Sequence, residues 1–214
     1  MAIETHNIKD LEGIFSNPFP ESINIPWELK PRDYENTHYR YEMEIMAMLC
    51  RMQNPKIAFE FGTFEGFTSL VIARNTKPSA RVFTLDLPWG SESPSSYDRF
   101  NASFVKCRYV LYFRGRPEER KIHQLIGDSA TIDLSLHRCT MDLIFIDGCH
   151  QHSYIENDTK KAFDMLKKNG IIVWHDYNTT WPDVTPFLES LSVKKPLFHI
   201  ERTNYVIHKT NEKE

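Results

Sequence analysis

The stretch Ile57-Ala-Phe-Glu60-Phe-Gly62-Thr63-Phe-Glu-Gly66-Phe-Thr68 constrains the fold more than any other part of the chain. A short apolar run ends in a carboxylate, and two glycines four residues apart follow at once. Phe67 to Ala73 then reads as a helix. A strand, a tight glycine turn and a helix N-terminus in succession let backbone approach a small ligand closely. The spacing is not the G-x-G-x-x-G dinucleotide fingerprint, and no Gly-Lys-Ser/Thr closes it as a phosphate loop would. An ordinary strand-to-helix turn is the competing reading, because glycine is the default residue for strained turns.

From residue 56 the chain alternates strand and helix. Strands are expected at Lys56–Glu60, Arg81–Asp86, Lys121–Ile126, Met141–Asp147 and Gly170–Asp176. Runs this apolar suit strands buried on both faces, hence a mostly parallel sheet. Ile155, Ala162, Phe163 and Leu166 share one face of a crossover helix over 155–168, with Lys167 and Lys168 at its C-terminal end and Gly170 as its stop. A helix over 37–53 carries Ile45, Met46, Leu49 and Met52 on one apolar face suited to core packing. Leu197–Glu201 and Tyr205–Lys209 read as an antiparallel hairpin.

Length and composition bound the rest. The 214 residues suit one α/β domain. Residues 1–36, with Pro18, Pro20, Pro26 and Pro31, are expected to form an irregular arm whose Phe15, Phe19 and Trp27 can dock on a surface. Residues 37–209 form the domain, and 210–214 a frayed tail. Within it, 88–120 is an aromatic insertion with a helix near 97–111, read either as a lid or substrate wall or as a plain cover for the sheet. The net charge of −3 has both signs mixed, and no basic stripe announces a nucleic acid. No apolar run approaches the ~20 residues of a membrane span. The start lacks a signal peptide's basic region and apolar core. Cys50, Cys107, Cys139 and Cys149 form no CxxC pair and suggest reduced thiols in a cytoplasmic protein.

In a doubly wound sheet, ligands bind beyond the carboxyl ends of the strands. Glu60, Asp86, Asp147 and Asp176 stand at or just past such ends, and Asp128 follows another strand by two residues. Carboxylates there can accept ribose hydroxyls, an adenine amine or a metal ion. Helix N-caps are the alternative use for each of them.

The pattern Glu60-x-Gly62-x-x-x-Gly66 resembles motif I of the class I methyltransferases that use S-adenosylmethionine. Ile146-Asp147-Gly148-Cys149-His150 and Gly170-Ile-Ile-Val-Trp-His175-Asp176-Tyr177 are similar to the I-D-G-x-H and H-D-Y elements of a bacterial branch of that family. The resemblance covers about residues 40–209. It implies a doubly wound, mostly parallel, seven-stranded Rossmann-like sheet with a C-terminal antiparallel hairpin. It places Glu60, Gly62, Thr63 and Gly66 against the methionine part of the cofactor, and Asp86 on the ribose. Asp128 and Ser129 border the adenine, with Asp147 at the edge of the cofactor site. A Cβ at either glycine would meet the cofactor or the helix behind the turn.

The architecture is shared with the catechol and caffeoyl-CoA type of O-methyltransferase, in which a divalent metal sits on an Asp after strand four and an Asp-Asn pair after strand five. Asp147 and Asp176 match the aspartates, while Tyr177 stands in place of the Asn, so His175 becomes the third candidate ligand for Mg²⁺ or Mn²⁺. His150 occupies the position of the catalytic lysine and can take a hydroxyl proton near neutral pH. Asp147 and His150 are therefore the candidate catalytic residues, and Cys149 and His152 read as bystanders. The implied partner is a small-molecule methyl acceptor, with homodimerisation left open. Two other functions compete: a metal hydrolase built on the His/Asp cluster, which explains neither the glycine turn nor Asp86, and a cofactor-binding module without catalysis.

Overall fold

The computed structural model describes residues 3–15, 17–88, 91 and 111–210. Its sheet contains β1 (Glu4–His6), β2 (Ile57–Phe61), β3 (Arg81–Asp86), β4 (Ile122–Ile126), β5 (Met141–Ile146), β6 (Leu166–Trp174), β7 (Phe198–Ile200) and β8 (Val206–Lys209). Their order is β1-β7-β8-β6-β5-β2-β3-β4. β8 runs antiparallel to β6 and β7, and every other pair is parallel. Four α-helices lie among the described residues: α1 (Thr37–Gln53), α2 (Phe67–Arg74), α3 (His152–Met165) and α4 (Val184–Ser192).

The central strands read as unbroken apolar runs because both of their faces are covered. Ala58, Val82, Leu143, Phe145, Ile171 and Val173 pack with α1 and α2. Phe59, Phe61, Ile144, Ile146, Ile172 and Trp174 face the other way, onto α3 and α4. The doubly wound, mostly parallel architecture expected from the sequence is therefore present, with its C-terminal hairpin. The methionine-bearing face of α1 is core, as its spacing predicts: Met43, Met46 and Met52 are buried.

Three boundaries differ from expectation. α3 spans 152–165 rather than 155–168, because Leu166 turns extended and pairs with Met141. Lys167 and Lys168 lie in β6, where Lys167 Nζ bonds Asp142 Oδ1 at 2.8 Å. Gly170 serves a bulge instead of stopping a helix: a Cβ there would lie 2.7 Å from Leu166 Cδ1 and 2.9 Å from the Lys167 carbonyl. Helical periodicity cannot see such a bulge. The arm is only partly irregular, since Glu4–His6 adds an eighth strand along β7 and a 3₁₀ helix over Ile8–Ile14 buries Ile8 and Leu11. A three-residue strand is too short to show alternation. Phe15, Phe19 and Trp27 dock as expected, against the α1/α2 side.

The expected helix near 97–111 lies outside the described residues, apart from Leu111. Thr210 is tied to the Gly170 carbonyl at 3.1 Å and is not frayed. Cys50, Cys139 and Cys149 take part in no disulfide among the described residues, and Cys107 lies outside them. No helix among the described residues is long and apolar enough to cross a membrane.

The strand order reverses between the parallel neighbours β2 and β5, the switch point at which such sheets bind ligands. Two features fix the backbone there. Glu60, 1% exposed, accepts from Thr84 Oγ1 at 2.6 Å and from Ser69 Oγ, which ties β2 to β3 and α2. Gly62, at φ +91°, sits so close to β5 that an added Cβ would lie 2.1 Å from the Asp147 carbonyl oxygen. The expected obstacle, a cofactor or helix, is thus replaced by the chain itself. Gly62→Ala should cost about 2–4 kcal/mol through overlap and backbone strain. Thermal unfolding should register a fall of roughly 5–15 °C, and an unchanged midpoint would refute the close approach.

Burial pushes the Glu60 carboxyl up to about 8, against the hydrogen bonds from Ser69 and Thr84 that pull it down. Below its ordinary 4.5 the group is neutral in both folded and unfolded chains. Between 4.5 and about 8 only the unfolded chain ionises, so this contribution to stability is lost as pH rises. Glu60→Gln keeps an acceptor and cannot ionise. Urea midpoints taken from pH 5 to pH 9 should therefore shift progressively in the variant's favour, whereas parallel profiles would mean that Glu60 titrates normally.

Candidate active site

The glycine turn is held from β3. Asp86, the last residue of that strand, accepts from Phe64 N through Oδ2 at 2.7 Å and from Leu87 N through Oδ1 at 2.8 Å. Burial raises its carboxyl, and the backbone N–H groups of Phe64, Leu87 and Thr63 oppose that rise. Thr63 is buried, with its hydroxyl 2.7 Å from that of Thr84. Gly66 closes the turn by donating its N–H to the Thr63 carbonyl at 2.7 Å, and it caps α2 in the left-handed region. A Cβ on Gly66 would come within 2.6 Å of the Phe113 ring, so the end of the aromatic insertion seats against the turn. Glu60, Gly62, Thr63, Gly66 and Asp86 thus form one group, with Glu60 beneath the turn.

Asp128 and Ser129 belong to a second group built with α3. Asp128 Oδ2 accepts from the Tyr154 hydroxyl at 3.1 Å, and Oδ1 accepts from Ala130 N at 2.8 Å. Burial, then the Asp128 bond, pushes the Tyr154 phenol up to about 12. Asn157 Nδ2 donates to the Ser129 carbonyl at 2.9 Å, and Lys161 Nζ donates to the Ile132 carbonyl at 2.9 Å. A loop after β4 is thereby fixed to the first turns of α3.

The third group gathers Asp147, His150, His175 and Asp176. Successive side chains of an extended strand point to opposite faces. His175 and Asp176 escape that alternation because Asp176 adopts φ +64° just past the end of β6. Both side chains then reach one point: His175 Nδ1 lies 3.1 Å from Asp147 Oδ1 and 3.2 Å from Asp176 Oδ1. Asp176 Oδ2 meets His150 Nε2 at 2.7 Å, and the His150 ring stacks on Trp181 at 3.9 Å with 7° between the planes. From the other side, His175 Nε2 faces Glu42 Oε2 at 3.1 Å.

Charge follows from this geometry. Burial alone would lower the His175 imidazole, but Asp147 and Asp176 override it and hold it well above its ordinary value. Burial raises Asp147, moderated by His175, whereas Asp176 is held well below the usual carboxylate range because His175 and His150 outweigh its burial. Asp147, His175 and Asp176 each offer one atom within 4.8 Å of the others, the spacing of a metal-binding triad.

Of the expected bystanders, His152 lies away from this cluster, with its ring edge-on to Phe187 and its backbone N on Asp183. Tyr177 turns toward His199 and Glu189 and leaves the triad to its neighbours. Sequence reasoning missed Glu42, Trp181 and Tyr205. Glu42 had a readable signal: it lies three, four and seven residues before Ile45, Met46 and Leu49, a carboxyl on the apolar stripe of α1. Tyr205 had none; its hydroxyl is buried without a hydrogen-bond partner among the described residues, and its ring stands 5.4 Å from that of His175.

The methyltransferase-domain family matches the chain over residues 59–177. Among curated proteins, no sequence matches it. A crystal structure of a methyltransferase from Geobacter sulfurreducens superposes with a TM-score of 0.58 at 18% identity, over 90% of this chain and 91% of that one. A candidate caffeoyl-CoA O-methyltransferase from Staphylococcus aureus gives 0.58 at 17% identity, over 88% and 93%. A Podospora anserina methyltransferase bound to S-adenosylhomocysteine gives 0.54 at 17% identity, over 87% and 84%. Identities this low establish the shared fold, while the family match spans β2 to Tyr177 and so takes in the glycine turn and the acidic cluster together. The chain belongs to the methyltransferase-domain family and carries the class I architecture of S-adenosylmethionine-dependent methyltransferases.

Proposed function

We propose that this methyltransferase transfers a methyl group from S-adenosylmethionine to a hydroxyl of a small-molecule acceptor. The observation that supports this reading best is the contact of Gly62 with Asp147, which sets the glycine turn directly against the Asp147/His175/Asp176 cluster. When bound, the cofactor supplies an activated methyl on a sulfonium, so the protein's task is positioning and deprotonation. Gly62, Thr63 and Gly66 would shape the methionine side, Asp86 would accept the ribose hydroxyls, and Asp128 and Ser129 would border the adenine. Asp86 has lone pairs to spare beyond its two backbone bonds.

A divalent cation also fits. Two carboxylate oxygens that each stand 3.1–3.2 Å from His175 Nδ1, all three atoms within 4.8 Å of one another, need positive charge among them, either a proton on His175 or a metal ion. The two nitrogen–oxygen distances are close to the ~3 Å edge of an octahedron with bonds of about 2.1 Å. The unpartnered Tyr205 hydroxyl supplies a further polar group beside the cluster. Asp147, His175 and Asp176 would hold the ion, whose presence lowers the pKa of an acceptor hydroxyl. A mixed oxygen and nitrogen shell favours Mn²⁺ over Mg²⁺. Asp176 orients His150 from one side and Trp181 clamps its ring flat, which suits His150 to taking the hydroxyl proton.

Charge-assisted hydrogen bonds to ribose are worth ~1.5–3 kcal/mol each. Asp86→Asn retains an acceptor for Phe64 and should weaken S-adenosylhomocysteine binding at least tenfold by calorimetry, at about 1.4 kcal/mol per decade. Unchanged affinity would remove Asp86 from the cofactor site. EDTA should abolish methyl transfer without displacing the cofactor, and Asp147→Asn should behave like the chelator. Full turnover in EDTA would leave His150 as a metal-free base, in which case His150→Ala becomes the inactive variant.

A further inference from the structure

We propose that Glu42 is a positioning residue that selects the nitrogen His175 presents to the Asp147/Asp176 carboxylates, and thereby makes the triad a cation site. The inference rests on the metal-assisted reading above and adds a residue from α1, outside the strand ends that carry the rest of the site. Glu42 is 2% exposed, and both of its oxygens are engaged. Oε1 accepts from Asn204 N at 2.7 Å and faces His38 Nε2 at 3.0 Å. Oε2 faces His175 Nε2 at 3.1 Å. A carboxylate only accepts hydrogen bonds, so the ring nitrogen opposite it carries the proton. Asp147 Oδ1 and Asp176 Oδ1 are acceptors too, so without an ion Nδ1 also carries a proton; an ion that displaces that proton meets the Nδ1 lone pair, because Nε2–H stays committed to Glu42. This is the arrangement in which a carboxylate behind a histidine fixes its tautomer toward a metal.

The Asn204 contact makes the inference sharply testable. In Glu42→Gln, the amide oxygen is anchored by the Asn204 N–H, so the NH₂ group falls where Oε2 stood. A donor then faces Nε2, so the ring keeps its proton on Nδ1 and the lone pair turns away from the two aspartates. A merely structural role for Glu42 would tolerate this isosteric change.

The experiment titrates Mn²⁺ into the full chain and follows free Mn²⁺ by electron paramagnetic resonance, for wild type, Glu42→Gln and Glu42→Asp. Wild type should bind one ion, Glu42→Gln should bind it ~10–100-fold more weakly, and Glu42→Asp should recover part of the loss. Nitrogen-15 spectra of histidine-labelled protein with Mg²⁺ should show His175 protonated at Nε2 in wild type and at Nδ1 in Glu42→Gln. Equal Mn²⁺ affinity in wild type and Glu42→Gln overturns the role of Glu42 alone. Absence of Mn²⁺ binding by wild type overturns it together with the metal reading. Calorimetry with S-adenosylhomocysteine on the same samples separates these results from the cofactor reading, because loss of that binding in wild type would count against the cofactor site and leave the Mn²⁺ comparison intact.

Discussion

Where the strand order reverses across the sheet, a hydrogen is the only side chain that the backbone can carry at residue 62, because the Asp147 carbonyl already occupies the space beyond it. That contact brings together two parts of the molecule that would otherwise be neighbours only through the sheet. On one side is the turn between β2 and α2, pinned by Glu60 from below and by Asp86 from the adjacent strand. On the other is the end of β5, whose next residue supplies a carboxylate to the acidic cluster. Methyl transfer needs a donor and an acceptor held in line at close range. A fold that allowed even a methyl group between these segments would widen that interval.

The second organising constraint is electrostatic. Asp147, Asp176 and the His175 ring are brought together by the left-handed backbone at Asp176, against the ordinary alternation of a strand. Strain of this kind costs of order 1–3 kcal/mol and persists only where surrounding contacts enforce it. Here the enforcing contacts come from four elements: Glu42 on α1, Ile146 at the end of β5, Trp181 before α4 and Asn204 in the final hairpin. The His175 N–H on the Ile146 carbonyl continues the β5/β6 ladder into the site. The cluster is therefore positioned by rigid secondary structure rather than by loops alone, which is what a reacting group held to a few tenths of an ångström requires.

Much of this could be read in the sequence, and the reason differs between parts. The expected bounds of α1 and β3, 37–53 and Arg81–Asp86, match the structure, β3 because an apolar run stops at the carboxylate of Asp86 and α1 because its apolar face repeats at the helical period. The carboxylates at strand ends were legible because a parallel sheet sends all of its C-terminal ends to one side. The start of β6 was not, since Leu166 satisfies the helical apolar period as well as it satisfies the strand that it enters. Partners from distant segments were the hardest to find. Phe113 against Gly66, Trp181 on His150 and Asn204 on Glu42 are set by tertiary packing, and no local period encodes them. The buried Glu42 was missed as well, although a carboxyl on an apolar stripe asks for a partner.

β1 runs along β7, with Thr5 bonded to His199 across 194 positions of sequence and Glu201 N donating to the His6 carbonyl. β1 therefore has no strand partner until β7 has been made, 194 positions later. Closing so long a loop is entropically slow compared with forming the β2–β3–β4 half of the sheet, whose pairings are local. Until the final hairpin is made, Ile3 lacks the cluster with Leu197 and Val206 that buries it in the finished molecule, whereas Trp27 can already stack on Phe67. β1 is thus a late-docking segment, and while the chain is being made it is an unpaired strand open to wrong association.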